Sequence, residues 1–162
     1  MCKNCLRQGY TLIEILVAIS LTLIMAWGGI TYYNSFSRRQ KVQQAVEKIV
    51  SDIRLAKSLA LSQQKPADCD TTLKAYVFEI TSDASYQIVP ECEAGLLDPT
   101  KEVFLEGVSL SGTLSTIRFE VLTQAVSLLG LETEGNLSVS SLGGSYSRTV
   151  NINAGGGDIK IE

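Results

Sequence analysis

The chain has 162 residues, 45 % of them hydrophobic, and a formal net charge of -3. It contains no histidine, which removes the commonest general base and the commonest zinc ligand. Residues 1–64 hold eight basic and three acidic side chains, whereas residues 65–162 hold six basic and fourteen acidic. The second part therefore repels a phosphate backbone, and no nucleic-acid binding is expected of it.

The first nine residues form a short tip carrying Lys3 and Arg7 and ending in Gly9. Its Cys2-Lys3-Asn4-Cys5 run has CxxC spacing, but no second pair follows nearby to complete a zinc site. Tyr10–Ile30 comes next, 21 residues in which only Glu14 is charged. That length suits a transmembrane helix. It exceeds the apolar core of a secretory signal peptide, which is about 7–15 residues. A carboxylate inside such a run costs roughly 2.5–3.5 kcal/mol unless it finds a partner. Glu14 is thus either a carboxyl kept protonated or hydrated near an interface, or a docking group for a cation. Gly28-Gly29 weakens a helix by roughly 1 kcal/mol per glycine. It marks either a flexible point or simple tolerance at a membrane exit.

Residues 31–64 form an amphipathic helix in this reading. Val42, Ala45, Val46, Ile49, Ile53, Ala56 and Ala60 make an apolar stripe in steps of three and four. Arg38, Arg39, Lys41, Glu47, Lys48, Asp52 and Lys57 fall off it, and Lys48 and Asp52 stand at pairing distance, four apart. Pro66 is expected to end the helix.

From residue 65 the periodicity changes to two. Strands are predicted at Lys74–Ile80, Ser85–Val89, Val103–Leu110, Thr116–Leu122, Ala125–Leu129, Leu137–Leu142, Ser147–Asn153 and Asp158–Ile161. Short links with turn residues and no intervening helical pattern favour antiparallel meanders. The expected fold class is α+β: one long N-terminal helix, its second half packed on a β-rich head formed by residues 65–162.

Catalytic chemistry finds no support. No serine has a base, and no GxSxG occurs. The Gly155-Gly156-Gly157 run is read as a hairpin turn, since no helix with a lysine follows to make a P-loop. Asp68, Asp70, Glu91 and Glu93 match no calcium loop with glycine at its sharp turn, and a solvated acidic loop is preferred. No catalytic residue, metal ligand or cofactor is assigned. Cys69 and Cys92 flank the first strand pair, either as a disulfide or as two buried thiols. A disulfide, the preferred reading, would stabilise by roughly 3–4 kcal/mol and imply an oxidising compartment.

Gly9-Tyr10-Thr11-Leu12-Ile13-Glu14, followed by Ile15-Leu16-Val17-Ala18, resembles the class III signal of type IV prepilins and type II secretion pseudopilins. The C-terminal runs Thr116-Ile117-Arg118-Phe119, Thr149-Val150-Asn151-Ile152-Asn153 and Asp158-Ile159-Lys160-Ile161 resemble GspH/FimT-type minor pseudopilins. The resemblance implies a type IV pilin-like fold with four parts: a cleaved cytoplasmic leader (1–9), a transmembrane and filament-core helix (10–30), an amphipathic helix (31–64) and an extracytoplasmic head (65–162). It implies cleavage between Gly9 and Tyr10 by a prepilin peptidase, methylation of Tyr10, and assembly through Glu14. The expected partners are that peptidase, other pilin or pseudopilin subunits, an inner-membrane assembly platform and, before assembly, the membrane itself. The expected location is the inner membrane, single-pass, with the head in the periplasm or outside, and then the pilus or pseudopilus. Tyr10 departs from the more usual phenylalanine at the first mature position but keeps an aromatic ring. Lys3 and Arg7 on one side and Arg38, Arg39 and Lys41 on the other leave the charge count indecisive about orientation. Orientation therefore rests on the resemblance and on the cysteines. The competing class is a single-pass anchored binding module or enzyme that never enters a filament.

Overall fold

The computed structural model describes residues 10–121, 125–128, 134–153 and 159–162. The chain divides into two compact units at Ser37 and Arg38. A single helix, α1 (Leu12–Leu61), contributes to both. It starts from the N-cap position of Thr11, runs through Gly28-Gly29, and ends at Leu61, three residues short of the expected boundary. Pro66 is not what stops it. Gln63 adopts a left-handed φ of 52°, and the Gln63 and Gln64 N–H groups donate to the Ala60 and Leu59 carbonyls. This is a Schellman ending with glutamine where glycine is usual. The Tyr76 hydroxyl adds a bond of 2.6 Å to the Gln64 carbonyl.

In the second unit the predicted stripe is the buried one. Val42, Ala45, Val46, Ile49, Ile53, Ala56 and Ala60 are all buried, joined by Val50. They pack against two antiparallel sheets rather than a simple meander. The first sheet contains β1 (Leu73–Ser82), β2 (Ser85–Cys92), β3 (Gly95–Leu96), β4 (Lys101–Phe104), β6 (Thr116–Glu120) and β7 (Val126–Leu128). Its order is β3-β2-β1-β6-β7, with β4 also on β2. The second has the order β10-β9-β8-β5, from β5 (Val108–Gly112), β8 (Glu134–Ser141), β9 (Ser147–Asn153) and β10 (Ile159–Ile161). Tyr76, Phe78, Tyr86, Ile88, Ile117 and Phe119 from the first sheet meet Leu137, Val139, Val150 and Ile152 from the second in one core with the helix stripe.

The expected strand Val103–Leu110 is two strands in different sheets. Val103 and Leu105 are buried, then Val108 and Leu110, so the alternation changes phase across Glu106-Gly107. A strand cannot change phase and keep one face inward. Gly107 makes the break at φ 77°. At the far end of β5, a Cβ on Gly112 would overlap the Asn136 carbonyl, so only glycine fits. The ends of the expected strands at Leu122 and Leu129, the start of the last at Asp158, and the glycine run 155–157 lie outside the described residues.

Asp52 corrects the sequence reading most. It is not a surface partner of Lys48 but a buried side chain, 3 % exposed. Its carboxylate accepts from Lys101 Nζ at 2.6 Å and from the Tyr86 hydroxyl at 2.8 Å. Helix, β2 and β4 are thus joined at one point. On the opposite face of the first sheet, Arg118 Nε donates to Glu91 at 2.6 Å and Nη1 to Glu120 at 2.7 Å. Arg118 stands opposite the buried Val77 in the register. A disulfide, Cys69–Cys92, closes the connection after α1 onto the end of β2, as the preferred reading expected.

Asp52→Ala strands the buried Tyr86 hydroxyl and the Lys101 ammonium, and should lower stability by about 3 kcal/mol. Asp52→Asn keeps an acceptor for Tyr86 and should lose less. Urea unfolding of the full chain in detergent, followed by circular dichroism, measures both, and equal stability of wild type and D52A would contradict the role. Burial raises the hydroxyl pKa of Tyr76, and burial together with the neighbouring Asp52 raises that of Tyr86 further. Both stay protonated in the folded head and ionise on unfolding near the ordinary value of 10.0. Above that pH the folded state holds more protons than the unfolded, so stability is full below it and falls as pH rises. In an alkaline titration, two of the six tyrosines should therefore form phenolate only as the β-sheet signal disappears. Tyr86→Phe should reduce that late group to one.

Candidate functional site

Thr11 organises the start of α1. Its carbonyl accepts the Glu14 N–H at 3.1 Å and the Ile15 N–H at 3.3 Å, and its hydroxyl lies 3.4 Å from the Glu14 nitrogen. Thr-x-x-Glu is the pattern of a capping box, a signal in residues 11–14 that the motif reading passed over. Only the threonine half is made. The Glu14 carboxylate sits in the first turn, at the positive end of the helix dipole. It has no hydrogen-bond or ion-pair partner among the described residues.

From Tyr10 to Trp27 every residue is exposed. Leu12, Ile13, Leu16, Ile19, Leu23 and Met25 are each more than half exposed. Covering such a side chain with apolar surroundings is worth roughly 1.5–3 kcal/mol. Nothing in the described chain provides that cover in the first unit. The two hydroxyl side chains inside the run are already satisfied. Ser20 donates to the Leu16 carbonyl at 2.7 Å, and Thr22 to the Ala18 carbonyl at 3.0 Å. Intrahelical bonding of this kind makes serine and threonine tolerable in an apolar medium. Among the described residues this is the one helix long and apolar enough to cross a membrane.

The remaining predicted positions are distributed rather than gathered. Gly9, Cys2 and Cys5 lie outside the described residues, and Tyr10 is 80 % exposed. Cys69 and Cys92 are in the head, bonded to each other. Of the acidic side chains near them, Glu91 is held by Arg118, while Asp70 and Glu93 border an open depression that also includes Lys65. Among the described residues no three His, Cys, Asp or Glu side chains are placed to hold a metal.

The family model described as the prokaryotic N-terminal methylation motif matches residues 5–30. The fold matches a crystal structure of the type IV minor pilin FimU of Pseudomonas aeruginosa strain PAO1, with a TM-score of 0.54 at 17 % identity, over 75 % of this chain and 92 % of that one. The fold is type IV pilin-like. Comparison with curated proteins finds no match.

A pilin-like architecture gives the uncovered helix a physical meaning. Its apolar surface belongs in a bilayer or against other helices, and the methylation motif marks the end at which Glu14 sits. Motif and helix together point to membrane anchoring.

Anchoring should be sensitive to charge in the uncovered run. The full chain produced in bacterial cells should stay with the membrane pellet through an alkaline wash. Leu16→Lys combined with Ile19→Lys adds roughly 2.5–3.5 kcal/mol of insertion cost per lysine. Most of that variant should appear in the soluble fraction, and its full retention in the pellet would contradict a spanning helix.

Proposed function

We propose that this chain is a minor subunit of a type IV pilus or type II secretion filament. A prepilin peptidase hydrolyses the Gly9–Tyr10 bond on the cytoplasmic side of the inner membrane, and the Tyr10 amine so freed is then methylated. An N-methylated amine is still a base, so it stays cationic near neutral pH. The head, with its Cys69–Cys92 bridge, stands on the oxidising side of the membrane. Assembly on an inner-membrane platform then slides the helix until Glu14 meets the Tyr10 amine of a neighbouring subunit.

The observation that carries this reading is the Glu14 carboxylate. It lies in the first turn of an uncovered apolar helix, inside the matched methylation motif, without a partner among the described residues. Moving that helix from lipid into a bundle of similar helices changes its apolar surroundings little. An ionic pair in that setting therefore sets register, because leaving a buried charge unpaired is penalised more than pairing it stabilises. Likeness in fold to a minor pilin favours the minor-subunit role over the bulk subunit.

Mass spectrometry of the chain isolated from cells with a prepilin peptidase should give residues 10–162 with one added methyl group. An intact Met1 in the wild-type chain would end the proposal. Glu14→Ala should be cleaved normally yet be depleted from sheared filaments by on the order of 100-fold, the scale of an unpaired buried charge. Normal incorporation of that variant would remove the docking role.

A further inference from the structure

We infer that the start of the head carries a binding site for anionic lipid headgroups, built on the turn between β8 and β9. This inference rests on the membrane-anchored reading above. Three cations meet at that turn and a fourth lies at the neighbouring turn of Gly107. Arg39 stacks on the Tyr146 ring at 5.5 Å, and Arg148 lies 6.0 Å from the same ring while its Nε donates to the Tyr146 hydroxyl at 2.9 Å. The Arg38 guanidinium stands 3.6 Å from where a Cβ on Gly143 would be. Lys41 lies along Gly107, its Cδ 3.3 Å from the corresponding position there. The Leu142 N–H donates to the Gly107 carbonyl, which ties the two turns together.

None of these four cations has an ion-pair partner among the described residues. Like charges gathered without a counter-charge repel, and an anion placed among them relieves that repulsion. Guanidinium groups suit phosphate oxygens, which they can bind through two parallel N–H donors. Arg38, Arg39 and Lys41 are exposed and free to make such bonds. Position along the chain selects the source of the phosphate. Arg38 follows Ile30 by eight residues in the sequence, so the cations come soon after the apolar run along the chain. Exposed Tyr32, Tyr33 and Phe36 lie between them, the aromatic composition of a membrane interface. Beside the cations, Leu142 is 62 % exposed at the tip of the turn, ahead of Gly143-Gly144. An apolar tip flanked by cations is suited to insertion between anionic headgroups. The head would then rest on the leaflet until assembly lifts it away.

The test uses the full chain with Cys2→Ser and Cys5→Ser, labelled with a fluorophore at Leu142→Cys. It is reconstituted into vesicles of phosphatidylcholine, or of phosphatidylcholine and phosphatidylglycerol in equal amounts, with headgroup-quencher lipids in both. Quenching should be several-fold stronger in the anionic vesicles and should weaken with added salt. Each cation near such a surface is worth about fivefold in the docked-to-undocked ratio. Arg38→Gln with Lys41→Gln should therefore return quenching toward the neutral-vesicle level. Arg39→Gln with Arg148→Gln serves as a second pair should the first disturb folding. Equal quenching in the two vesicle types, or no response to either pair, overturns the inference while leaving the anchored reading intact. A chain that does not float with the vesicles overturns both. Shielding that appears only when other pilin subunits are added assigns the cations to a protein interface and overturns the lipid site.

Discussion

An apolar helix that its own chain covers over only part of its length is the constraint on which this molecule depends. From Val42 to Ala60 the stripe on α1 is the floor of the head, buried by two sheets. From Tyr10 to Trp27 the helix is apolar on every side and nothing in the described chain lies on it. A helix of that second kind is stable only in lipid or among other helices. The protein is therefore built to be finished by its surroundings, and the methylation motif sits on the unfinished end.

The covered half is fastened by different kinds of interaction at successive levels. Burial of the stripe supplies the largest share but has no direction of its own. Asp52 supplies direction, because its carboxylate must meet both Lys101 and Tyr86. The Schellman ending and the Tyr76 bond fix where the helix stops. The Cys69–Cys92 bridge then holds the connection that follows. A charged pin in the interior is selective about position in a way that an apolar pair of equal stability is not.

Much of this was legible from the sequence because it depends on local composition. The 21-residue run, the lone Glu14 and the basic tip ending in glycine are contiguous. The stripe from Val42 to Ala60 follows from helical period, and most strands follow from alternation. Even the division at Glu106-Gly107 had a local sign, since Leu105 and Val108 are out of phase. The capping pattern of Thr11 and Glu14 is equally local.

The sequence by itself determined that one helix has two different environments, that the head is β-rich and acidic, and that the N-terminal signal is of prepilin type. Local periodicity and composition carry that information. Tertiary structure alone decided that the strands divide between two sheets, that Asp52 turns inward to Lys101 and Tyr86, and that Arg38, Arg39 and Arg148 gather around one turn with Lys41 at the next. These pairings join residues from 34 to 49 positions apart for Asp52, and about a hundred apart for the arginines of the helix and of β9. No local pattern encodes such a meeting. It follows from the order in which strands are laid on the helix, which only the complete packing of the core selects.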